Sequence, residues 1–149
     1  MRNGDGGIGV TETYGACVAP QLNAAFWPLV EHYFAEAVKH GDVPLSELKD
    51  SLEKELSLLW VVVEGKKIKA AVLTELEPGR NGTAYLIKAC GGETMKDWLG
   101  LISILEDHAL SEGCTKMKAI GRLGWERALN EYGYVKKRIV LEKQLRLVQ

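Results

Sequence analysis

The spacing of apolar residues differs between segments of the chain, and it predicts which segments are helices and which are strands. Steps of three and four residues, which place side chains on one face of a helix, occur in four segments: 26–38, 45–56, 95–112 and 123–131. Six others are predicted as strands. The segments 58–64, 68–76, 83–90 and 134–145 are rich in strand-forming residues, 16–19 is a short apolar run, and 114–121 contains alternating polar and apolar residues. The predicted order is therefore β-α-α-β-β-β-α-β-α-β.

The connections between these segments predict how the strands pair. The link at 65–67 is short enough for a hairpin, and the turn-forming residues at 78–82 end the second strand of that pair. Strands 83–90 and 114–121 are joined through helix 95–112, and a right-handed crossover of this kind makes them parallel. We therefore predict a single-domain α/β fold with a mixed, mostly antiparallel sheet and helices on both faces.

Composition supports one domain preceded by a short arm. The chain has 149 residues, of which 46% are hydrophobic and 26% charged, as is typical of one globular domain. Residues 1–15 contain five glycines and few side chains to bury, so we expect a flexible N-terminal arm there. The folded domain is predicted to cover 16–149.

Charge and cysteine content exclude several function classes. The 19 basic and 20 acidic residues leave a net charge of −1, which argues against nucleic acid as a partner. The longest apolar run, 58–63, is too short to cross a membrane, and we expect a cytoplasmic protein. Cys17, Cys90 and Cys114 are widely spaced and form neither a disulfide pattern nor a metal site with the histidines, so we expect buried thiols and no metal.

This element order, with Gly133 and Tyr134 following a short helix, resembles the GNAT superfamily of acyl-CoA-dependent N-acetyltransferases over residues 16–145. Shorter motifs are most similar to small phage-encoded GNAT-like proteins of unassigned function. These motifs are Leu59-Trp60, Ala70-Ala71, Thr74-Glu75, Ala89-Cys90-Gly91-Gly92, Gly113-Cys114, Gly121-Arg122, Gly124-Trp125 and Leu141-Glu142-Lys143. The resemblance implies that the two parallel strands splay apart to admit acetyl-CoA.

The resemblance also implies which residues hold that cofactor. The pantetheine would pair with the end of strand 83–90, and the pyrophosphate would lie on the amides that open the next helix. The corresponding residues here are Lys88, Ala89, Cys90, Gly91, Gly92 and Thr94. The family's longer Q/R-x-x-G-x-G/A loop is absent, and Glu93 adds a negative charge. The two glycines therefore also fit a tight turn, with Thr94 and Asp97 forming a capping box.

Acid-base groups are harder to assign. The position that carries a proton-donating tyrosine in many GNAT enzymes falls on Leu129, which has no proton to give. Tyr132 and Tyr134 lie nearby in sequence and are expected to be packed aromatics. Glu75, leaving the second hairpin strand, is the candidate general base that family placement favours over Glu77 and Glu93.

Two functions therefore remain open. The first is an N-acetyltransferase that acts on a small-molecule or protein amine and relies mainly on proximity. The second is a non-catalytic GNAT-like module, used for structure, assembly or interaction in a phage particle. An acidic segment at 31–57 and a basic one at 136–146 would suit a self-assembly partner in that case.

Overall fold

The structure is a computed structural model that describes residues 12–39, 43–120, 123–138 and 141–145. Of the arm predicted at 1–15, residues 1–11 lie outside the residues described. The strands are β1 (Thr13–Cys17), β2 (Ser57–Glu64), β3 (Lys67–Gly79), β4 (Gly82–Gly92) and β5 (Lys116–Ala119). The helices are α1 (Asn23–Val38), α2 (Leu45–Glu53), α3 (Met95–Leu99), α4 (Ile102–Ser111) and α5 (Leu123–Asn130).

The five strands form one sheet in the order β1-β2-β3-β4-β5. The first three pairings are antiparallel, and β4 pairs with β5 in parallel from Ala84–Lys116 to Ile87–Ala119. The chain between β4 and β5 contains α3 and α4. The predicted mixed sheet and its parallel strand pair are therefore confirmed.

Helices cover both faces of the sheet and divide the core in two. On one face α1 and α2 pack against alternate residues of the central strands, with Val30, Phe34 and Leu48 almost fully buried. On the other face α3, α4 and α5 bury Trp98, Leu105 and Leu129. Alternation of side chains along a strand explains why the central strands are buried on both faces.

β1 begins earlier than the sequence predicts. Thr13, Tyr14 and Gly15, which we assigned to the arm, pair with β2 from Glu64 to Val62. Gly15 lies against Leu101, and a Cβ atom at Gly15 would be 2.2 Å from Leu101 Cδ2. At least one of the five glycines is therefore a packing residue, and the domain begins before residue 16.

The predicted helix 95–112 is two helices. The Leu101 N–H bonds to the Trp98 carbonyl at 2.9 Å, a three-residue step that interrupts the α-helical pattern between α3 and α4. Trp98, Leu101 and Leu105 keep the spacing of one helical face across this interruption, and each is at most 3% exposed. Gly113 follows α4, as predicted.

The final strand predicted at 134–145 is wrong for the residues that the structure describes. Residues 131–138 and 141–145 contain no strand, and Val135, Leu141 and Leu145 are exposed. The apolar residues here are interrupted by the charges of Lys136, Lys137 and Arg138, so they give no continuous face to bury. High β propensity does not make a strand without such a face.

Candidate active site

The candidate site begins where β5 stops accompanying β4. Their pairing ends at Ile87 and Ala119, whereas β4 continues to Gly92. Among the described residues, 88–92 therefore have β3 on one side and no strand on the other. A register shift between Leu73 and Thr74 leaves Lys88 as an extra residue opposite β3, which is the pattern of a β-bulge.

A cleft of about 620 Å³ lies at this end of β4. Three helices and the strand end contribute its walls, which come from both faces of the sheet. The lining residues are His32, Tyr33, Glu36, Ala37, Cys90, Gly91, Gly92, Glu93, Thr94, Met95, Trp98 and Trp125. The Trp98 and Trp125 rings lie 5.2 Å apart and join α3 to α5 beside the cleft.

Gly91 and Gly92 are strand residues, so the tight turn that we considered for them is wrong. They pair with Ala71 and Ala70 of β3. A Cβ atom at Gly91 would be 2.5 Å from the backbone oxygen of Tyr33, so the absence of a side chain lets α1 approach the sheet. The expected cap is confirmed, since the Thr94 N–H donates to Asp97 Oδ2 at 2.8 Å.

The backbone amides beyond Gly92 are largely used within the protein. The Glu93 N–H donates to the Lys69 carbonyl at 3.1 Å, and the Thr94 N–H donates to Asp97. A pyrophosphate on these two amides would have to replace both acceptors. The assignment of Gly91, Gly92 and Thr94 to a pyrophosphate therefore stays a prediction, with less support than the pairing of a ligand along 88–90.

Glu93 does not stand at the cleft as an isolated charge. Lys69 Nζ lies 2.8 Å from Glu93 Oε1, and Lys67 Nζ lies 3.1 Å from Glu93 Oε2. Hydrogen bonds from these two ammonium groups hold the pKa of Glu93 below its usual value, and the bond from Lys69 has the larger effect. Sequence reasoning missed both lysines, although three lysines at positions 66, 67 and 69 were a visible signal.

Glu75 lies outside the lining of the cleft. Lys88 Nζ donates to Glu75 Oε2 at 3.2 Å and lies 4.0 Å from Glu47 of α2. Both Lys88 and Glu75 are therefore committed to an ion pair on the sheet face that α1 and α2 cover. The role of Glu75 as a base stays a prediction.

The groups that could move protons are few among the residues described. Leu129 is 5% exposed and belongs to the core. Tyr134 donates to Glu106 Oε2 at 2.8 Å, and burial together with this bond raises its pKa. Tyr33 donates to the Ile68 carbonyl at 2.8 Å, and burial raises its pKa as well. His32 and Glu36 of α1 also line the cleft, and both are exposed.

Comparison with solved structures gives the same architecture over almost the whole chain. Glucosamine-6-phosphate N-acetyltransferase from Arabidopsis thaliana superposes with a TM-score of 0.63 at 19% identity, covering 91% of this chain and 99% of that one. Aminoglycoside N-acetyltransferase AAC(6')-Iy in complex with CoA gives a TM-score of 0.68 at 9% identity, with 93% and 97% coverage. The chain has the GNAT fold.

A third GNAT-fold structure was determined with a ligand. A predicted acetyltransferase from Clostridium acetobutylicum, in complex with acetyl-CoA, gives a TM-score of 0.65 at 14% identity and covers 89% of this chain and 96% of that one. No protein-family model matches the sequence, and no curated protein matches it. At these identities the similarity establishes the fold alone.

Three expectations from the sequence concern cysteines, metals and membranes. Cys90 and Cys114 are buried, but Cys17 is exposed, so the expectation of three buried thiols is wrong for Cys17. Within residues 12–39, 43–120, 123–138 and 141–145, no three His, Cys, Asp or Glu side chains converge in a way that could hold a metal ion. The same residues contain no helix with the length and apolar character that crossing a membrane requires.

Proposed function

We propose that this protein is an acyl-CoA-dependent N-acetyltransferase whose cofactor binds in the cleft beside β4. One observation carries the proposal: β4 extends past the end of β5, so that within the described part of the chain 88–92 have β3 as their one neighbouring strand, and residues 90–92 line a cleft of about 620 Å³. The likeness to N-acetyltransferases, two of them with CoA or acetyl-CoA bound, supports the same use of this space.

The residues around the cleft fit one part of acetyl-CoA better than the other. The edge of β4 that faces away from β3 beyond Ile87 would offer backbone donors and acceptors to the amide groups of a pantetheine arm, as the edge of a sheet does to an added strand. Two of the backbone amides expected to bind the phosphates of acetyl-CoA, those of Glu93 and Thr94, already donate to acceptors within the protein. Acetyl-CoA would supply an activated acetyl thioester, and the substrate would be an amine.

This chain contributes to transfer mainly by position. The cleft brings the amine and the thioester together, and holding two reactants in place can replace much of the entropic cost of their meeting. The amine must lose a proton before it can attack, and His32 on the cleft wall can accept that proton. Leu129 has no proton to donate to the CoA sulfur, so CoA leaves as a thiolate that this position does not protonate.

A turnover assay follows from this arrangement. We expect slow CoA release that rises with pH as the amine deprotonates, with no decline at high pH from a tyrosine acid. Aminoglycosides and glucosamine 6-phosphate are suitable first amines, because the proteins with similar structures act on them. Release that rises and then falls across the titration of a tyrosine, at pH values where circular dichroism shows the protein still folded, would contradict this account of the reaction.

Binding can be tested separately with two variants of α1. Ala37 lines the cleft, whereas Ala25 is exposed elsewhere on the same helix. Acetyl-CoA should bind the wild-type protein in calorimetry, Ala37→Trp should abolish the heat by filling the cleft, and Ala25→Trp should bind as the wild type does. Equal binding by both variants would place the ligand elsewhere. A third variant, Glu93→Gln, removes the negative charge at the cleft. If neither the wild-type protein nor this variant binds acetyl-CoA, the proposal is overturned.

A second candidate function is favoured by Leu129. A GNAT-fold module without catalysis would need no proton donor there, and it would serve as an interaction or assembly part, for instance in a phage particle. Saturable acetyl-CoA binding with no release of CoA for any amine tested would support this candidate. Release of CoA that depends on an amine would exclude it.

A further inference from the structure

Two lysines at the rim of the cleft bind the two oxygens of one carboxylate. Lys69 Nζ approaches Glu93 Oε1 at 2.8 Å, and Lys67 Nζ approaches Glu93 Oε2 at 3.1 Å. Glu93 itself lines the cleft, between Gly92 and Thr94. Two cations that share an anion in this way form a site for an anionic group, and Glu93 occupies it.

The sheet fixes the lysine backbones at this place. Ala70 pairs with Gly92, and the Lys69 carbonyl accepts the Glu93 N–H. The pairing of β3 with β2 shifts from Val63–Ile68 to Val62–Ala70, which leaves Lys69 as the extra residue of a bulge. Regular alternation does not apply there, and the ammonium groups of Lys67 and Lys69 meet on the same carboxylate. Only side chains must therefore move if Glu93 is to leave and another anion is to enter.

We propose that Lys67 and Lys69 form the phosphate-binding site of this protein, and that Glu93 occupies the site until a phosphate group of the ligand displaces it. The identity of that ligand, an acyl-CoA, rests on the proposed function. The lysines would replace the backbone amides of Glu93 and Thr94, which have acceptors within the protein.

Charge and exposure make the exchange feasible. The side chains of Glu93 and Lys67 are 38% and 68% exposed, so water screens this ion pair and it adds little to stability. Lys69 is 20% exposed, so its pair with Glu93 is less screened and is the stronger contact to displace. A phosphate carries at least as much negative charge as a carboxylate and offers more oxygens to the same two ammonium groups. Glu64, 3.9 Å from Lys69, remains beside the site and partly offsets its positive charge.

The test is calorimetric binding, which does not depend on catalysis. The ligands are CoA, CoA that lacks its 3′-phosphate, and pantetheine, which has no phosphate. Glu93→Gln should lower the Kd for CoA about two- to fivefold, since it removes an exposed competing charge. Lys67→Met with Lys69→Met should raise that Kd at least about tenfold, because two charge-assisted bonds are lost. Pantetheine binding should change in neither variant.

Two matched controls remove an exposed charge of the same type at another position. Lys66→Met removes a lysine from the same hairpin, and Glu131→Gln removes an exposed carboxylate far along the chain; both should bind CoA as the wild type does. CoA without its 3′-phosphate shows which phosphate the lysines bind. If its Kd changes in the variants as that of CoA does, the lysines bind the diphosphate. If its Kd stays constant, as expected for pantetheine, they bind the 3′-phosphate. Thermal unfolding of each variant verifies that it is folded.

The outcomes separate this inference from the proposed function. If Glu93→Gln and the double lysine variant bind CoA with the wild-type affinity, the lysine site is wrong and the cleft proposal stands. If the two lysine changes weaken pantetheine as much as CoA, they act on the cleft and not on a phosphate, and the inference is again wrong. If no variant binds CoA, both proposals are overturned.

Discussion

At the scale of single residues, Gly91 and Cys90 show how closely the sheet and its helices pack beside the cleft. Gly91 lets the backbone of α1 reach the sheet at Tyr33, and Cys90 beside it is buried. The glycine motif suggests a phosphate loop in the sequence, but its structural role is close packing. The sequence could not distinguish these roles, because both need a residue without a side chain and the partner, Tyr33, lies on a distant segment.

Two glycine substitutions test this role. Gly91→Ala should destabilise the protein by about 1 to 3 kcal/mol, since its methyl group meets a backbone oxygen that cannot rotate away. Gly100→Ala should be stabilising by about 0.4 to 1 kcal/mol, because Gly100 has helical dihedral angles and nothing lies within 4 Å of its Cβ position. Urea denaturation measures both, and a neutral Gly91→Ala would refute the close packing.

At the scale of elements, prediction succeeded where an apolar stripe had a partner. The parallel pairing of β4 and β5 followed from a helix between two strands, and the structure confirms it. The predicted final strand is wrong for the described residues of 134–145, because 134–138 and 141–145 include strand-forming residues but present no continuous buried face. Lys67 and Lys69 escaped notice because their meeting with Glu93 depends on the register of β3 against β4, which sequence alone does not give.

The helix that crosses between the parallel strands can be tested on its two faces. Leu105→Ala should cost about 2 to 5 kcal/mol, since Leu105 is 0% exposed against the sheet. Leu110→Ala should change stability by less than about 0.5 kcal/mol, since Leu110 is 72% exposed on the same helix. Chemical denaturation compares the two. A loss below about 1 kcal/mol for Leu105→Ala would place that face in solvent.

At the scale of the whole molecule, partly buried phenols link stability to pH. Burial is the main cause that raises the pKa of Tyr33, Tyr85 and Tyr134 above the ordinary value. The neutral phenol is therefore favoured in the folded state. Its contribution is complete below the tyrosine pKa of the unfolded chain, about 10, and is lost as the pH rises through the folded-state values.

We therefore expect stability to fall as the pH rises above about 10. The measurement is the urea midpoint across alkaline pH, made in a Cys17→Ser, Cys114→Ala background. Partial desolvation by neighbouring atoms also raises the pKa of the Cys17 thiol, and burial raises that of Cys114. Adding Tyr134→Phe should make the decline shallower, since one of the three phenols is gone. A midpoint that stays constant up to pH values where the tyrosines ionise would contradict the expectation.

The contact between Gly15 and Leu101 also has a kinetic consequence. A shift of β1 by one or two residues would bring a residue with a Cβ atom to the place where only 2.2 Å is available beside Leu101. Leu101, at the junction of α3 and α4, therefore favours the alignment of β1 that places Gly15 beside it. This selection requires that the junction already lies on the sheet. β1 would then dock late in folding, so Gly15→Ala should accelerate unfolding in stopped-flow experiments and leave the refolding rate nearly unchanged.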